Sequence, residues 1–105
     1  MPRNPSQAPL PGDAFITPSG CVYRVLERFV AVNGRGIEHP GVYCSIENEE
    51  GEERDACVTL SVFSAKMAQA DLIDLAETGD TDWTHAERLP NEQVQPQMRE
   101  RHGYE

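Results

Sequence analysis

The stretch Cys21 to Val32, CVYRVLERFVAV, constrains the fold more than any other part of the chain. It is rich in β-branched and aromatic residues, which suit a pleated and half-buried surface. Its alternation is impure. Cys21, Tyr23, Val25 and Phe29 fall on one face, and Val22, Leu26, Val30 and Val32 on the other. A long strand apolar on both sides suits a bent strand that reverses its inward face partway along through a bulge. A long bent strand shared by two halves of a small barrel, with a bulge reversing its inward face, is the expectation.

Turn chemistry places its neighbours. Asp13 to Thr17 reads as a short strand, joined to the long one by Pro18-Ser19-Gly20, where proline presets φ and glycine accepts a positive value. Residues 33–41 read as a loop, because Asn33-Gly34-Arg35-Gly36 is flexible and His39-Pro40-Gly41 opposes regular pairing. A third strand is expected over Val42 to Asn48 and a fourth over Arg54 to Phe63, joined by an acidic turn around Gly51.

The register of this second hairpin follows from burial. Ala56, Val58, Leu60 and Val62 share one face of the fourth strand, and Val42, Cys44 and Ile46 share one face of the third. Matching the two rows requires an odd-length loop, for example residues 50–52, with Cys44 opposite Val58 and Ile46 opposite Ala56. A two-residue turn would pair Cys44 with Cys57 and strand three aliphatic side chains in water. Each is worth about 1.5 to 3 kcal/mol, so no Cys44–Cys57 disulfide is expected.

From Ser64 to Glu77 the period changes, and Ala65, Ala68, Leu72, Leu75 and Ala76 form a stripe at helical spacing, with Ser64 and Gly79 as caps. Residues 82–89, DWTHAERL, read as a short last strand or an irregular closing segment anchored by Trp83 and Leu89. Residues 1–12, with four prolines, read as an extended leader, and residues 90–105 as a loose polar tail around one β-rich domain at 13–89. The fold class is therefore α+β. It is a small antiparallel sheet or partly open SH3-like barrel of four to five strands, with one helix after strand four.

The chain of 105 residues carries 18 acids against 9 bases, a formal net charge of −9. That charge disfavours direct contact with nucleic acid or anionic membrane and favours basic partners. No apolar run approaches the roughly 20 residues of a membrane-spanning helix, and Met1 to Gly12 lacks the apolar core of a secretory signal, so a cytoplasmic location is expected.

No catalytic signature emerges. Cys21, Cys44, Cys57, His39, His85 and His102 lack the paired spacing of a zinc site, and neither metal nor cofactor is expected. Cys57, the thiol expected to be most exposed, has Arg54 and Asp55 nearby, which give no net activation. The nucleophile elbow and phosphate-loop fingerprints are absent. One concentration of chemistry remains, the run Glu47 to Asp55 with six acids against one base. The expected partner-binding residues are Glu49, Glu50, Glu52 and Glu53 on this hairpin, with Asp71 and Asp74 from the helix. They would meet a basic protein surface. Two other readings compete: an inhibitor of phage or mobile-element type that mimics nucleic-acid charge, and a small thiol- or metal-dependent enzyme.

Overall fold

The computed structural model describes residues 3–104. The order of elements is β1 (Ala14–Ile16), β2 (Val22–Val32), β3 (Glu38–Glu47), β4 (Glu53–Thr59), α1 (Leu60–Met67), β5 (Asp71–Asp74), β6 (Glu87–Pro90) and α2 (Asn91–Arg101). A 3₁₀ turn at Trp83–His85 precedes β6. The chain is α+β, with a helix after the fourth strand. The sheet runs β4-β3-β2-β1-β5, and β6 joins it beside β2. Every pairing is antiparallel except that of β6 with β2. β4 and β5 are opposite edges, so the six-stranded sheet is open and barrel closure is not made.

β2 organises the molecule. β3 flanks it along its length, while on its other side β1 pairs with Val22–Arg24 and β6 with Phe29–Val32. Between these two halves the register shifts from Val25 to Glu27, the bulge that the two-sided apolar pattern requires. Ahead of it, Tyr23 and Val25 pack with Phe15, Val42, Cys44 and Ile46, and with Phe63 and Met67 of α1. Beyond it, Phe29 and Ala31 pack with Tyr43 and Leu89, and with Val94 and Met98 of α2. Helix α1 thus covers one face of the sheet, here the upper, and α2 the lower. The bulge carries Phe29 to the face opposite Tyr23 and Val25, against the simple alternation.

Long-range packing moves several boundaries away from the sequence expectation. β3 begins at Glu38, so His39-Pro40-Gly41 lies inside a strand instead of a loop. Pro40 sits beyond the last β3–β4 pair, Gly41 with Thr59, where no ladder donor is lost on that side. Gly41 permits the strand to pass: a Cβ there would lie 2.8 Å from Cε2 of Phe29 and 2.9 Å from the carbonyl oxygen of Val58.

β4 stops at Thr59, and Leu60 to Phe63 wind into α1. Thr59 Oγ1 accepts from the N–H of Val62 at 3.4 Å and caps the helix. Winding here buries Phe63 and Met67, each 1% exposed, and leaves Val62 54% exposed. Burying an aromatic and a methionine outweighs continuing the aliphatic row. Ala56 and Val58 still pack against the upper cluster, but the row from Ala56 to Val62 is broken.

The helix expected over Ser64 to Glu77 ends at Met67, and Asp71–Asp74 forms β5 against β1. Without β5, the outer backbone of β1 would lack a strand partner, and that tertiary demand overrides the local helical period. Lys66 lies in the last turn of α1, where its charge suits the dipole.

The β3–β4 loop has the odd parity that burial demands, but the register is displaced by two residues, with Cys44 opposite Ala56 and Val42 opposite Val58. Cys44 belongs to the upper cluster and Cys57 packs on the lower, and all three cysteines are free.

Both ends of the chain are packed where described. Pro9 and Leu10 are buried, and Arg3 donates to Asp13, a fully buried carboxylate that also accepts from the N–H groups of Leu10 and Ala76 at 2.8 Å each. Met1 and Pro2 of the expected leader lie outside the described residues, as does Glu105. The expected loose tail is α2, held by Val94 and Met98 at helical spacing. The Asp55 side chain, 5% exposed, accepts from Tyr43 at 2.6 Å and from Gln95 at 3.1 Å, tying α2 to the sheet. Among the described residues, no helix is long and apolar enough to cross a membrane.

Candidate functional site

The acidic hairpin is an ordered structure. β3 and β4 close at the pair Glu47–Glu53, and Asn48 shapes the loop beyond it. Its Oδ1 accepts from the N–H of Glu50 at 3.0 Å and of Glu52 at 2.9 Å, while its own N–H donates to the Glu52 carbonyl at 2.9 Å. Gly51, at φ +83°, supplies the left-handed residue the reversal needs. Glu49, Glu50 and Glu52 are exposed. Glu49 leans against the β1–β2 turn, where a Cβ on Gly20 would come within 2.5 Å of its Oε1.

Strand register carries this acidity across the sheet. Glu53 lies opposite Glu47, Glu47 opposite Val22, Val22 opposite Ile16, and Ile16 opposite Asp71. Cross-strand partners share a face, and this row alternates with the upward-facing Val25–Cys44 pair, so it points to the lower face. Helix α2 covers the far half of that face. The near half is an open groove of about 370 Å³ lined by Arg24, Ser45, Glu47, Glu53, His102 and Tyr104.

The cations and donors at the groove are committed within the molecule. Arg24 meets Asp74 at 3.0 Å, His102 meets Glu27 at 3.0 Å, and Arg101 bridges Glu27 and Glu87. The Tyr104 hydroxyl donates to Glu53, and that bond, with burial behind it, pushes the phenol up to about 12. Among the described residues, no ion pair engages Glu47, Glu49, Glu50, Glu52 or Asp71.

Glu49, Glu50, Glu52 and Glu53 therefore gather at one end of the sheet. Asp71 stands at the same end but on the far edge, and Asp74 lies deeper along β5, neutralised by Arg24. Neither aspartate is helical, as the sequence reading supposed. Glu47, Arg24, His102 and Tyr104 are groove residues that the sequence reading missed. Glu47 stood within the visible acidic run, whereas the other three reach the groove only through tertiary contacts.

Comparison with family models, with curated proteins and with solved structures found no match.

The remaining reactive groups are placed as follows. Cys57 lines a cleft of about 160 Å³ with His39, Val94 and Gln95, and its N–H donates to Gln95 at 3.2 Å. Burial, reinforced by the Asp55 carboxylate, pushes its thiol up to about 12, so it is protonated at neutral pH. Burial does the same to Cys44. His85 is exposed and paired with Asp80. Among the described residues, no three His, Cys, Asp or Glu side chains gather as a metal-holding group.

Proposed function

We propose that the protein is a small non-enzymatic interaction module whose acidic groove and hairpin tip bind a Lys- or Arg-bearing protein surface. The observation that carries this reading is the pair Glu47–Glu53. These two acids stand directly opposite each other on one sheet face, with three more exposed glutamates in the adjoining loop, and among the described residues no ion pair reaches any of the five. Like charges opposed across a ladder are destabilising, and a partner's cation relieves that repulsion while gaining carboxylate acceptors.

The carboxylates gather at one end of the sheet, with Val22 and Ile16 interrupting the row, which gives less support to a periodic imitation of nucleic-acid phosphates. The thiol reading has less support too, since its cleft holds a thiol whose pKa is raised. The test is affinity capture at low and high salt with the wild type and with a Glu49, Glu50, Glu52 and Glu53 to Gln variant. The expected result is capture that weakens at high salt, where screening shortens to about 3 Å, and that is lost in the variant. Capture that survives both would overturn the reading.

A further inference from the structure

Among the described residues the outer edge of β5 has no strand partner: β5 ends the sheet, pairs there with β1 alone, and all four of its residues are exposed. Leu72, Ile73 and Leu75 are 43%, 48% and 53% exposed, an aliphatic concentration on an open edge. The pairing of Phe15 with Leu72 puts Leu72 on the upper side, while Asp71 and Asp74, opposite Ile16 and Ala14, point to the lower side with the acidic groove. Ile73 is the extra residue where the register shifts.

We infer that this edge takes up an extended segment of a partner protein as an added strand, in which Lys or Arg residues alternate with aliphatic ones. An added strand gains main-chain hydrogen bonds along the edge, and its side chains alternate between the two faces. On the lower side they meet the Asp71 carboxylate, Asp74 being held by Arg24, and on the upper side they lie beside Leu72. The charge preference rests on the acidic-surface reading above, whereas the strand geometry rests on the open edge alone.

A second copy of this chain is the poorer occupant. Antiparallel self-pairing that sets Leu72 opposite Ile73 also sets Asp71 opposite the Arg24-paired Asp74, and brings together molecules that each carry a net charge of −9. Bulges and charged residues on an edge are common devices against self-association. They repel another β5 but leave a cationic strand unopposed.

The test uses the full chain and a fluorescent octapeptide of alternating Lys and Val, with fluorescence anisotropy for affinity and amide hydrogen exchange for location. The expected result is binding that slows exchange in residues 71–75 at least tenfold at saturation. Leu72→Lys, a change at an exposed position, is expected to weaken binding at least tenfold, as is replacing a central Val of the peptide with Pro. Protection of residues 71–75 without salt dependence supports the edge and removes the acidic-surface reading. Salt-dependent binding with no protection there does the reverse. No binding, equal binding by the proline-containing peptide, or self-association of the free protein through residues 71–75 would each overturn the inference.

Discussion

Glu47 and Glu53 face each other across the last pair of the β3–β4 ribbon, so the sheet carries a like-charge pair at the root of its most acidic loop. Glu47→Gln removes the repulsion and leaves the Tyr104–Glu53 hydrogen bond in place. The variant should be more stable by roughly 0.2 to 1 kcal/mol at low salt. Chemical denaturation at low and high salt checks this, and the gain should shrink as salt rises. The same variant should bind basic partners more weakly, a trade of affinity against stability.

Asp13 should make the fold acid-sensitive. Burial alone would raise its carboxyl, but hydrogen bonds from Arg3 and from the N–H groups of Ala76 and Leu10 outweigh it and hold the group below the usual carboxylate range. Its contribution is therefore complete above roughly pH 5 and is lost as pH falls through the depressed native value. Urea unfolding between pH 5 and pH 2 should show a shallower loss for Asp13→Asn than for the wild type. At neutral pH, Asp13→Ala should cost on the order of 3 kcal/mol, because it leaves the Arg3 charge without its counter-ion and the N–H groups of Leu10 and Ala76 without their acceptor.

Cys57 should be slow to alkylate. A thiol near 12 has roughly a thousandfold less thiolate at pH 8 than one near 9, so iodoacetamide should label it quickly only after denaturation. Mass spectrometry of labelled peptides over time measures this, and rapid native labelling at Cys57 would show that its thiol is activated.

Pro96 stands inside α2, exposed on its outer side, where it cannot donate a helical N–H and its ring crowds the preceding turn. Pro96→Ala should stabilise the protein by about 1 to 3 kcal/mol. The thermal midpoint should rise and exchange in residues 91–101 should slow, while the acidic hairpin should be unaffected.

These residues also show what could be read in advance. The bulge in β2 was visible as a strand apolar on both faces, and the odd parity of the acidic loop followed from the aliphatic rows it had to align. Helix α2 was hidden because Pro96 and a run of polar residues obscure a stripe of only Val94 and Met98. β5 was hidden for a different reason. Asp71 to Ala76 fits a helical stripe as well as a strand, and only the open side of β1 decides between them. The acidic run was legible residue by residue. The opposition of Glu47 and Glu53 and the arrival of His102 and Tyr104 beside them depend on register and on contacts across most of the chain.

The bulge in β2 also bears on synthesis. Because it sends Phe29 and Ala31 to the side of the sheet that α2 closes, these residues and Tyr43 stay wet until Val94 and Met98 have left the ribosome. A nascent chain paused near Pro90 presents an aromatic surface with nothing to cover it, the stage at which a chaperone would be most needed.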